Sequence, residues 1–93
     1  MKPVLVTTEF RGVFFGYLDA EPTALPEKVT LKNARNCVYW SSDTKGFLGL
    51  ASTGPTTNCR IGPEVPEITL YKVTSITDCT PAAQEQWELG LWK

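Results

Sequence analysis

Val4, Val6, Thr8 and Phe10 fall on one side of an alternating run, and Val13, Phe15 and Tyr17 alternate in a second run. A period of two in stretches rich in Val, Phe, Tyr and Thr predicts strands over 4–10 and 13–19. Arg11-Gly12 separates them, so the pair reads as a hairpin with Gly12 supplying the backbone conformation of the turn. The first run starts almost at the first residue, which places it at an exposed sheet edge. Two prolines between Glu21 and Glu27 predict a loop. From 28 to 40, Val29 and Leu31 alternate with Thr30 and Lys32, and Val38-Tyr39-Trp40 closes the run. Asn33-Ala34-Arg35-Asn36 breaks the period, which predicts a strand with a bulge or kink, two strands joined by a short turn being the alternative.

The next stretch changes period. Phe47, Leu50, Ala51 and Gly54 fall at i, i+3, i+4 and i+7, after the cap-forming cluster Ser41-Ser42-Asp43-Thr44 and before Pro55. This predicts a helix of about two turns over 44–54, stopped by Gly54 at the position after its C-terminus. Gly46 and Gly49 each cost a helix ~1 kcal/mol against alanine, which leaves a strand as the alternative. Cys59-Arg60-Ile61 is a short strand, 62–66 a turn, Ile68, Leu70 and Tyr71 an apolar group, and 73–79 a last strand. Thr80-Pro81 is a helix start, with Thr80 as cap and Pro81 in the first turn, and the helix docks through Ala83 and Trp87. The expected fold is α+β: about five mostly antiparallel strands, a short central helix and a C-terminal helix. The 93 residues make one domain, with 84–93 as a tail that can fray.

Composition narrows the function. Nine Lys plus Arg against ten Asp plus Glu leave a net charge of −1, so general nucleic-acid binding is not expected. Apolar stretches of about five residues at most do not span a membrane. Without histidine, the commonest general base and metal ligand are both missing. Cys37, Cys59 and Cys79 are odd in number and lack a CxxC, so they read as reduced, mostly buried thiols, not as a disulfide framework or metal site. The first residues do not read as a signal peptide. The expectation is a chain that acts inside a cell, with no metal and no cofactor.

The segments KVTLKNARNCVYW (28–40), GFLGLASTGPTTNCRI (46–61) and VPEITLYKVTSITDCTPAA (65–83), in this order and spacing, resemble a family of small proteins of unknown function encoded mostly by tailed bacteriophages and prophages. The resemblance implies a phage origin and a small α+β domain, with a strand ending in Tyr-Trp, a Leu/Ala helix closed by Gly, and a Cys-Thr-capped last helix. The chain departs from that pattern at Gly46 and Gly49. The resemblance implies no reaction.

The residues that could carry chemistry are few. Catalysis without histidine needs paired carboxylates, an activated cysteine or a lysine. Glu64 and Glu67 flank a turn without defining a pair, and Cys59 beside Arg60 reads as a buried strand thiol. A non-enzyme is therefore expected. The hydroxyl-rich 52–58 loop could hold an anion, paired by Arg35 or Arg60, two of the three arginines. Trp40 is the aromatic that could stack on a ligand, and Trp87 and Trp92 are spare for an interface. The candidate binding residues are Arg35, Trp40, Thr53, Gly54, Thr56, Asn58 and Arg60. They fit a phage protein in the host cytoplasm that binds a host protein, as an inhibitor, takeover or anti-defence factor. Alternatives are an oligomeric sponge for a nucleotide-like immune signal and a virion structural or assembly protein. Self-association, as a dimer or higher, is expected.

Overall fold

The computed structural model describes residues 1–19 and 28–90. Six strands and two helices follow in the order β1 (Lys2–Thr8), β2 (Gly12–Leu18), β3 (Lys28–Tyr39), α1 (Phe47–Ser52), β4 (Arg60–Ile61), β5 (Val65–Tyr71), β6 (Val73–Asp78) and α2 (Pro81–Glu88). Every strand pair is antiparallel, and the sheet runs β4-β3-β2-β1-β6, with β5 also on β3. The α+β expectation holds, with a sixth strand because the apolar group at 68–71 is itself a strand that starts at Val65, inside the expected turn. Pro66 is tolerated there because the register pairs Val65 with Ala34 and Glu67 with Lys32, so the residue without an N–H falls opposite Asn33. The tail expected to fray divides: residues 84–88 are helical, and 91–93 lie outside the described residues, as does the whole 21–27 loop.

The expected hairpin forms, from Lys2 opposite Leu18 to Thr8 opposite Gly12. Its turn differs in detail. A 3-10 segment spans Glu9–Arg11, and Phe10, not Gly12, takes the left-handed conformation (φ 61°, ψ 32°). Gly12 is extended, and a Cβ there would lie 2.1 Å from Thr8 Oγ1, so close packing requires this glycine.

The exposed edge expected at 4–10 is overturned. β1 is an interior strand, paired with β2 on one side and with β6 on the other. Val4, Leu5 and Val6 are all fully buried, because both faces of the sheet are covered. One core lies inside the curl of the sheet and takes Val4, Val6, Leu18, Val29, Leu31, Ala34 and Leu70. The curl brings β5 and β6, joined through Lys72 alone, to the same core. The second core lies under the helices and joins Leu5, Val13 and Phe15 to Leu50, Ala51, Ala83 and Trp87.

The interrupted period of β3 is a bulge. Phe15 opposes Arg35 and Tyr17 opposes Lys32, so two steps on β2 match three on β3, with Asn33 in the left-handed region (φ 47°). The extra residue keeps Leu31 and Ala34 on the inner face while turning Arg35 and Cys37 towards the helix side.

α1 is shorter than expected and begins later. Ser42–Thr44 form a 3-10 turn, Lys45 and Gly46 have positive φ, and Gly46 occupies the cap position with no side-chain cap. The serine and aspartate cluster therefore does not cap α1. Gly54 stops the helix as expected, with φ 86°. α2 begins as the sequence predicts: Ala83 N–H donates to Thr80 Oγ1, and Pro81 stands in the first turn. Thr80 also donates to the Ser52 carbonyl and so ties the two helices together. Trp87 is not spare surface. It is the largest fully buried side chain, stacks on Phe15 at 5.1 Å and donates its indole N–H to the Leu50 carbonyl at 3.0 Å.

Candidate functional site

The short strand β4 pairs with the end of β3, placing Arg60 opposite Tyr39 and Ile61 opposite Cys37. Opposite residues of an antiparallel pair point to the same face. Cys37 and Ile61 go into the core under the helices, while Tyr39, 53% exposed, and Arg60 face solvent. With Val38 and Asn58 they line a recess of about 450 Å³. This is where two of the expected residues, Asn58 and Arg60, come together.

The others are placed elsewhere. Trp40 is half-buried against the core under the helices and walls a larger recess, about 620 Å³, with Phe47 and Val13. Arg35 lies near a third recess of about 300 Å³. Its side chain is 17% exposed, donates to the Gly62 carbonyl at 3.4 Å and pairs with Glu64 at 4.0 Å. Gly90, just past α2, approaches so closely that a Cβ there would be 2.8 Å from Arg35 Nη1. The guanidinium thus joins β3 to the turn before β5 and to the negative end of the α2 dipole. Thr53 is exposed and donates to the Gly49 carbonyl. Gly54 is buried under α2, where a Cβ would lie 3.0 Å from the Ala83 Cα, so it serves packing and offers no ligand contact.

The hydroxyl-rich loop has a partner the sequence did not reveal. The Asp43 carboxylate accepts from Ser41 Oγ, from Thr56 Oγ1 at 3.2 Å and from Asn58 Nδ2 at 3.2 Å. These bonds, Ser41's foremost, hold its carboxyl below its ordinary range, so it is charged at neutral pH. An anion approaching Thr56 and Asn58 would meet a carboxylate already holding their donors.

Burial dominates the thiols. Cys37 and Cys59 are buried and Cys79 is half-buried against the same core. Burial pushes Cys37 and Cys79 up to about 12, far from the reactive thiolate range. Tyr17 is pushed up to about 12, first by burial and then by donating to Glu88, while Gln84 donates to it at 2.9 Å. Among the described residues no three acidic or cysteine side chains gather as a metal cluster. No helix among them is long and apolar enough to cross a membrane.

A family model described as a domain of unknown function, DUF6948, matches residues 1–87. The chain belongs to this family. The match runs from the first strand to Trp87 and so takes in both cores, including the helices that cover the second one. No curated protein and no solved structure matches the chain. In this DUF6948 chain the residues that sequence reasoning missed are Phe10, Tyr39, Asp43 and Phe47. The alternation of Tyr39 with Trp40 already required one of the two to face outward. For Asp43 the contact with Ser41 is local, but its hold on Thr56 and Asn58 has no local signal, because they lie 13 and 15 residues away.

Proposed function

We propose that this DUF6948 chain is a phage- or prophage-encoded binding protein. It acts in the host cytoplasm by occupying a host protein and catalyses no reaction. The observation that carries this reading is the recess formed by Val38, Tyr39, Asn58 and Arg60. Tyrosine and arginine are the residues that most often dominate protein interfaces, and here they stand side by side on a paired strand end whose inner face is anchored in the core. Such anchoring lowers the ordering cost of binding. The sponge reading loses support from Asp43, whose charge opposes a phosphate at Thr56 and Asn58.

The test is affinity capture from host lysate with the wild-type chain, Tyr39→Ala and Arg60→Ala as parallel baits. One host protein retained by the wild type and lost by both variants is the expected result. Equal retention by all three baits would remove this surface from the proposal. Native mass spectrometry of protein from infected cells decides against the sponge if the chain carries no added small-molecule mass.

A further inference from the structure

Phe10 is 95% exposed, the most exposed large apolar side chain among the described residues. Its backbone is in the left-handed region (φ 61°, ψ 32°), where asparagine and glycine are at home and a phenylalanine is strained. Neither packing within the chain nor backbone preference accounts for a phenyl ring at this position. Its base is firmly held: Glu9 N–H donates to the Lys72 carbonyl at 3.1 Å, and Lys72 Nζ pairs with Glu9 at 3.6 Å. The two turns, 9–11 and 71–73, are therefore tied together, and the ring projects from a preorganised tip.

Within three residues of this knob, Thr8, Gly12 and Val13 line the 620 Å³ recess walled by Trp40 and Phe47. We propose that two copies of the chain pair through this end about a two-fold axis, with the Phe10 ring of each seated in the Trp40–Phe47 recess of the other. A two-fold arrangement uses a neighbouring knob and hole twice, burying both rings at once, whereas an unrelated partner would satisfy only one of them. Strand addition at β1 is not available for pairing, because both edges of that strand are occupied.

This inference is independent of the host-binding reading, since it leaves Tyr39 and Arg60 untouched. Sedimentation equilibrium from low micromolar to several hundred micromolar tests it. The wild type should shift from the 10.3 kDa species towards twice that mass as concentration rises. Phe10→Asn should weaken the dimer about a hundredfold, roughly tenfold for each of two lost rings, while raising the melting temperature of the monomer by relieving the backbone. Phe47→Asp damages the hole and should weaken it similarly, with aspartate acceptable in the first turn of α1. Mixing the two variants restores one intact knob-and-hole contact, so a mixed dimer should form where neither variant pairs alone. A wild type that stays at the monomer mass throughout, a Phe10→Asn chain that pairs like the wild type, or a mixture that stays monomeric would each overturn the proposal.

Discussion

At the scale of single residues, Gly49 shows why propensity alone misreads α1. A glycine inside a helix weakens it, and replacing it by alanine ordinarily adds ~1 kcal/mol. Here a Cβ would stand 1.5 Å from the Thr44 carbonyl oxygen, because the preceding 3-10 turn lies against the helix. Gly49→Ala should therefore destabilise the chain by about 2–3 kcal/mol in urea unfolding, with overpacking outweighing the helix gain. A gain in stability would mean that the 3-10 turn does not press on the helix. Gly46 has open space around it but φ +88° with ψ −175°, a region essentially reserved for glycine, so Gly46→Ala should cost about 1–3 kcal/mol through backbone strain alone. Two neighbouring glycines thus fail for different reasons, and neither reason is visible in the run 46–54 by itself.

At the scale of elements, local signals were legible and distant ones were not. The hairpin, the bulge near Asn33, the Thr80-Pro81 start of α2 and the Gly54 stop of α1 each depend on a few adjacent residues, and each appears where the pattern placed it. The position of β1 does not depend on neighbours. Val4-Leu5-Val6 reads the same whether one face or two are covered, and the second side is fixed by pairing with β6 some 70 residues later. Trp87 is legible as a docking residue of α2 but not as the centre of the core, since its partners Phe15 and Leu50 lie on other elements. The candidate site was legible only in part. Asn58 and Arg60 meet, but Arg35 and Gly54 are bound into the scaffold, and Asp43 takes up the donors of the loop. The element-scale prediction follows from the shared core. Trp87→Ala removes the ring on which α2 docks and should cost about 3–5 kcal/mol, whereas Thr80→Ala, which removes a cap and the tie to Ser52, should cost about 1–2 kcal/mol. Denaturant midpoints in that order support docking by packing; the reverse order would place the cap above the ring.

At the scale of the whole molecule, the core under the helices holds or touches all three cysteines, and this makes stability sensitive to alkaline pH. Burial raises Cys37 and Cys79 from 9.0 to about 12. The unfolded chain then releases these protons above about pH 9, while the folded chain keeps them until about pH 12. The contribution of each thiol is therefore fully present below pH 9 and is lost as pH rises through that window. The loss is at most ~1.4 kcal/mol per pH unit for Cys37, and less for the half-buried Cys79, where water screens the charge. Tyr17, raised to about 12, acts in the same direction with a smaller effect because the residue is only partly buried. The urea midpoint should hold from neutral pH to about pH 9 and then fall steeply by about pH 10. A Cys37→Ala, Cys79→Ala chain starts less stable, because two core side chains are truncated, yet its midpoint should fall with a shallower slope. If the two slopes coincide, the thiols do not hold their protons in the folded core.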